Sequence, residues 1–214
     1  MNSECILAHR GLWESKADAN SREAILRAFE HGFGIETDLR ATHDGNIIVS
    51  HDAILSDKEP PTLQWLLDAH KSISPSSILA LNIKADGLHS LIKTALNELD
   101  DDKYFLFDMS VPDLISGSPS GLRQFGRVSC YEDPVPLAPY IKGLWVDCFD
   151  NVFPALSDIQ ELARCWPTLA FVSPELHGRN YQTFWDILKA SEVSAHTKLM
   201  LCTDHPAQAY EFFR

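Results

Sequence analysis

The sequence predicts an α/β fold: a (β/α)8 TIM barrel forming a single compact domain over residues 1–214. Three observations predict it. Short apolar β-like runs alternate with helix-period segments. Eight such runs occur along the chain. The first is not followed by the glycine-rich phosphate turn of an open doubly wound sheet, because "AHRGLW" holds a single glycine. Strands that alternate with helices pair in parallel through right-handed crossovers. Eight of them close a barrel, here at the small end of its usual size.

Each element has a local reason. "CILAHRG" (5–11) is an apolar run closed by glycine. "NSREAILRAFEHG" (20–32) is a helix with Asn20 or Ser21 as N-cap, Gly32 as its stop, and an apolar face of Ala24, Ile25, Ala28 and Phe29. "GIETDLRATHDGNIIVSHD" (34–52) reads as two strand arms around the Asp44-Gly45 turn. "TLQWLLDAHKSI" (62–73) is a helix capped by Thr62, and "SILALNIKAD" (77–86) is the next strand. The alternation continues through helix 87–99, strand 103–110, the short helical "VPDLISG", strand 126–132, the proline-limited "PLAPYI" and strand 143–149. Helix 156–166, strand 168–175, helix 181–191, strand 198–204 and a closing helical turn or two at 206–213 complete it. There is no internal repeat or domain linker, and "SDKEPP" (56–61) is the most loop-like stretch.

Composition bounds the function. Hydrophobic residues make up 45% of the chain and charged residues 22%, enough apolar material for a core. A net charge of -12 argues against nucleic acid or an anionic membrane surface as the main partner. An anionic substrate would need local positive charge or a metal. The five cysteines are odd in number and form no CxxC pair, which suits buried thiols in a reducing compartment. The N-terminus does not have the pattern of a signal peptide, and no apolar run approaches the ~18 residues of a membrane span. The expectation is a soluble cytoplasmic protein of undetermined oligomeric state.

Barrel enzymes keep their chemistry at the C-terminal ends of the strands. Those positions hold His9-Arg10, Glu36 and Asp38, His51-Asp52, Asn82 and Lys84, then Asp108, Glu132, Asp147, Glu175 and Asp204. A lone carboxylate at a strand end ordinarily caps a helix or lies in a loop, and Asp108, Asp147 and Asp204 are read that way. Glu36 and Asp38 are different. A period of two puts both on one strand face, where two like charges need a cation between them. Oxygen donors so spaced suit Mg²⁺ or Ca²⁺. His9 and His51 end neighbouring segments and can exchange protons near neutral pH. Arg10 offers a fork for phosphate oxygens and Lys84 a point charge. Together these meet the needs of phosphodiester cleavage. His31, His43, His70, His89 and His196 fall in helices or turns and are read as solvated, while His177 stays open.

These motifs resemble the glycerophosphodiester phosphodiesterases, within the phospholipase C-like phosphodiesterase superfamily, of which the chain looks like a divergent member. The resemblance is carried by "AHRG" (8–11), "DANS" (18–21), "IETDLRATHDGNIIVSHD" (35–52), "PPTLQWLLD" (60–68) and "CTDHPAQA" (202–209). It implies a (β/α)8 barrel and a metal-dependent hydrolase of a glycerophosphodiester or related small phosphodiester. It also implies His9 and His51 as the acid/base pair, Arg10 as a phosphate contact, and Glu36 and Asp38 as metal ligands. The chain departs from the family pattern in four places. Asn82 stands where the family has a third metal-binding Glu, while Lys84 is kept. Ala19 replaces the Glu of the helix-start motif. Only "AILSDKEPP" (53–61) follows Asp52, in place of a small inserted lid. "SPELHGR" (173–179) is not the usual seventh-strand sequence. Asn82 can still ligate through its carbonyl oxygen. The expected site is then a weak one completed by waters and substrate phosphate, or one that Glu175 completes in preference to Glu132 or Asp147. Glu175 is otherwise a substrate contact. Two rival readings share the site: a binding or regulatory barrel that lost turnover with the third acid, and a lyase in which a substrate hydroxyl attacks phosphorus.

Overall fold

The computed structural model of the chain describes residues 1–53, 59–150, 152–191, 193 and 197–214. Each apolar run forms a strand: β1 (Ile6–His9), β2 (Gly34–Ala41) with its return arm β3 (Ile47–Val49), and β4 (Leu79–Ile83). They continue as β5 (Tyr104–Phe107), β6 (Phe125–Val128), β7 (Gly143–Val146), β8 (Thr168–Val172) and β9 (Lys198–Thr203). Between them lie α1 (Arg22–Glu30), α2 (Leu63–Ile73), α3 (His89–Ala95), α4 (Val111–Gly117), α5 (Leu156–Cys165), α6 (Gln182–Ala190) and α7 (Pro206–Phe213). The β6–β7 connection is only a 3₁₀ stretch, Val135–Tyr140. Pro136 and Pro139 remove the backbone donors an α-helix there would need. Ser21 rather than Asn20 caps α1, its hydroxyl accepting from the Ala24 N–H at 3.1 Å. Thr62 caps α2 as expected, accepting from Trp65 N at 3.1 Å.

The strands run β5-β4-β2-β1-β9-β8-β7-β6, all parallel, with β3 antiparallel on β2. β5 and β6 meet through the Leu106–Gln124 bridge, which nearly closes the ring into the expected (β/α)8 barrel. Strand parity then makes two cores. Ile6, Ile35, Leu39, Leu79, Leu81, Leu106, Leu144, Val146, Phe171 and Leu201 pack outward under the helices. Leu7, Ala80, Phe105, Phe107, Phe125, Trp145, Ala170, Val172 and Cys202 fill the barrel. Buried thiols were expected. Cys5 and Cys202 are buried, whereas Cys130 and Cys165 are exposed because the chain has left both cores there. Among the described residues no helix is long and apolar enough to cross a membrane.

Candidate active site

Parity extends from the core to the barrel mouth. Leu7 points inward, and so does His9 two residues later. Ala80 is followed by Asn82 and Lys84, Phe125 by Arg127, Trp145 by Asp147, and Cys202 by Asp204. Glu36 and Asp38 share the inward face of β2, alternating with outward Ile35 and Leu39. The mouth residues other than Asp38 line one cavity of about 430 Å³, together with Trp13, Lys16, Ala19, His51, Asp108, Phe149 and His177. Ala19 leaves room there that a glutamate would fill.

Asp38 is fully buried and lies beneath the cavity. Arg10 Nε is 3.1 Å from its Oδ2 and Lys84 Nζ 3.3 Å from its Oδ1. Asn20 also donates to Oδ2, at 2.9 Å, and accepts from Thr37 Oγ1 at 2.6 Å. One carboxylate therefore sets the position of both cations. The backbone is strained to reach this arrangement. Among the described residues, the non-glycine residues with positive φ are Arg10 (58°), Asn20 (63°) and Asp108 (65°). Left-handed backbone costs an L-residue about 1 kcal/mol or more, and least for Asn and Asp. All three converge on this site: Arg10 and Asn20 on Asp38, Asp108 on Asn82.

His9 Nδ1 lies 2.7 Å from Asp204 Oδ1. A carboxylate accepts, so Nδ1 carries the hydrogen and Nε2 is left for the cavity, 3.9 Å from Glu36 Oε2. Trp13 Nε1 donates to the His9 carbonyl at 2.8 Å, which steadies the same residue. His51 pairs likewise with Asp52, Nδ1 to Oδ1 at 2.8 Å, but its side chain is 44% exposed. Burial, and then the charge of Asp38, pushes the Glu36 carboxyl up to about 7. Burial also raises Asp108. The Asn82 amide nitrogen donates to Asp108 Oδ2 at 3.1 Å and more weakly to Glu36 Oε1 at 3.5 Å. Glu36 Oε2 and Asn82 Oδ1 are buried and accept no hydrogen bond, and Asp108 Oδ1 faces only the Arg127 guanidinium, at 3.2 Å.

Those unpaired oxygens bear on the metal expectation. Among the described residues no three His, Cys, Asp or Glu side chains form a ready-made metal group. Buried oxygens without donors, beside a carboxyl whose charge is poorly compensated, are nonetheless the donor chemistry of a hard divalent ion. The residues fit such an ion once the amide of Asn82 is counted.

The facing wall differs. Trp145 stacks on Phe107 with ring centroids 4.0 Å apart. Arg127 pairs with Asp108 at 3.2 Å and Glu132 at 2.8 Å, and lies over Phe149. His177 Nε2 is 2.7 Å from Asp147 Oδ1, and its ring meets the edge of Phe149. Arg179 ties this turn to the β7 loop by donating to the carbonyls of Cys148 and Asp150.

Several expectations need correction. Asp108, Asp147 and Asp204 lie in loops just beyond their strands, one of the two roles expected, but they also line the cavity and pair with Asn82 and Arg127, His177, and His9. Glu175 does not line it. Its carboxylate accepts from Ser173 and Thr203 hydroxyls and, at 3.1 Å, from Asp204 N–H, so it holds the residue that holds His9. His31 and His43 are exposed as expected. His70 is buried, donating to the Ser77 carbonyl at 2.9 Å, and burial lowers its pKa. His89 contacts Gln124 and Asp113. Both face inward because their helices pack on the sheet. His196, and residues 54–58 of the short stretch after Asp52, lie outside the described residues.

The family model for the glycerophosphoryl diester phosphodiesterase family matches residues 9–153, more than half of the chain. The chain belongs to that family. It is thus a phosphoric diester hydrolase, and the matched span holds His9, Glu36, Asp38, His51 and Asn82. No curated protein matches it. Solved structures resemble it over 97% of its length at low identity. A phosphodiesterase of Oleispira antarctica, in complex with the product sn-glycerol-3-phosphate, superposes with a TM-score of 0.72 at 16% identity, over 95% of that chain. Glycerophosphodiester phosphodiesterases of Agrobacterium tumefaciens (0.68, 17%, 96% of that chain) and Thermotoga maritima (0.67, 15%, 97%) share the fold.

Proposed function

We propose that this phosphodiesterase hydrolyses a glycerophosphodiester or a related small phosphodiester, with a divalent ion, Mg²⁺ or Ca²⁺, held by Glu36, Asp38 and Asn82. The observation that carries the proposal is the His9–Asp204 pair. It turns the free ring nitrogen of His9 toward Glu36, in the cavity that also holds Arg10 and Lys84. The ion, when bound, would polarise the phosphoryl oxygens and draw charge from phosphorus. Arg10 and Lys84, fixed by Asp38, meet the phosphate. His9 and His51 move the protons: one takes a proton from the attacking oxygen, and the other gives one to the leaving alcohol. Each carries its hydrogen on Nδ1 toward a carboxylate, so Nε2 is the working nitrogen in both. Trp145, Phe149 and His177 bound the space for the alcohol. Five cysteines outside any disulfide suit action in the cytoplasm. The test is hydrolysis of bis(p-nitrophenyl) phosphate and of a glycerophosphodiester, with chelator and with Mg²⁺, Mn²⁺ or Ca²⁺ restored. Binding of the glycerophosphodiester without turnover of either substrate would point instead to the binding barrel.

A further inference from the structure

We infer that Asp108 is a further oxygen ligand of the divalent-cation site, added to Glu36, Asp38 and Asn82. The inference rests on the metal reading proposed above and adds one residue to it.

Backbone geometry is the first argument. Phe107 points into the barrel core, so by strand parity the next side chain belongs under the helices. Instead Asp108 takes a φ of 65°, which turns its carboxylate back into the cavity. The second argument is placement. Asn82, itself buried, sets one amide nitrogen between Asp108 Oδ2 at 3.1 Å and Glu36 Oε1 at 3.5 Å. One amide thus lies against both carboxylates. Turning it over would set its oxygen beside theirs, three oxygens whose mutual repulsion a cation among them would offset. Electrostatics supplies the third. Arg10 and Lys84 already offset Asp38, which leaves Glu36 facing a divalent charge almost alone. Asp108 contributes the second negative charge.

The plainer role for Asp108 is to pair with Arg127. Arg127 Nη1 lies 3.2 Å from Asp108 Oδ1, but Arg127 has a closer partner in Glu132, at 2.8 Å.

The test is calorimetric titration of Mg²⁺ and of Ca²⁺ into the wild-type protein, Asp108→Asn and Arg127→Gln. Asparagine tolerates left-handed backbone well, so Asp108→Asn should fold, as circular dichroism would check. Asp108→Gly, which relieves the backbone altogether, is the second variant. Both Asp108 variants should weaken the ion by about tenfold or more, because ligand charge sets much of the affinity. Arg127→Gln should not weaken it, and adding Asn82→Glu to Asp108→Asn should restore it. Affinity within twofold of wild type in both Asp108 variants would overturn the inference and leave the metal reading standing. A wild-type protein that bound neither ion would remove both.

Discussion

The two walls of the cavity are built differently. Glu36, Asp38, Asn82 and Lys84 come from β2 and β4, with His9 and Arg10 from β1. That wall also holds the left-handed residues Arg10 and Asn20, and Asp108 adjoins it from the end of β5. Across the ring, β6, β7 and the turn after β8 supply Arg127, Trp145, Asp147, Phe149 and His177. The first wall concentrates buried charge, oxygens without donors and strained backbone. The second offers aromatic faces and ion pairs whose carboxylates keep more solvent, Asp147 at 10% and Glu132 at 37% side-chain exposure against 0% for Asp38. Strain and desolvated charge persist only where the rest of the fold holds them. The function proposed above puts the chemistry on the first wall and the fit of the alcohol on the second.

The largest effect should come from the proton-carrying groups. His9→Ala and His51→Ala should each lower kcat by about 10²–10⁴-fold with the circular dichroism spectrum unchanged. Wild-type turnover in both would end the acid/base assignment. Glu36→Gln or Asp38→Asn should raise the ion concentration needed for half-maximal activity by about tenfold or more, since each removes a ligand charge. Titration of activity against Mg²⁺ or Ca²⁺ reads this directly. Asn82→Glu should tighten ion binding several-fold by calorimetry, with activity kept or raised. An unchanged affinity would take Asn82 out of the site. The smallest effect sharpens the comparison from the other side. His177→Ala and Phe149→Ala should raise KM a few-fold and keep kcat within about tenfold, the pattern of lost substrate binding. A His177 loss as deep as that of His9 would put chemistry on both walls.

The first wall was the legible one. Glu36-x-Asp38 sits at strand period, and His9 and His51 close neighbouring arms, so a local reading of sequence brings them together. The barrel followed from the alternation of elements, and the proline-limited β6–β7 connection from its composition. Pairings across the ring were not legible. His9 and Asp204 are separated by 195 residues, and Asp147 is recruited by a histidine whose strand-end motif fits no pattern. Strand parity applied from the core outward would have found Asp147 and Asp204, two residues beyond Trp145 and Cys202. It would have missed Asp108, because a left-handed φ reverses the side chain's direction and nothing in the residue type announces it. Glu175 misled for the opposite reason. A 3₁₀ turn (Pro174–His177) follows β8, and three donors hold the carboxylate off the cavity.

The central claim is that a divalent ion and the first wall together hydrolyse a phosphodiester. The most direct measurement is ³¹P NMR of a glycerophosphodiester incubated with the protein, first stripped by chelator and then supplied with Mg²⁺ or Ca²⁺. The diester signal should persist after stripping and give way to a phosphomonoester once the ion is restored. Equal turnover in chelator, or an unchanged diester signal with either ion present, would contradict the account.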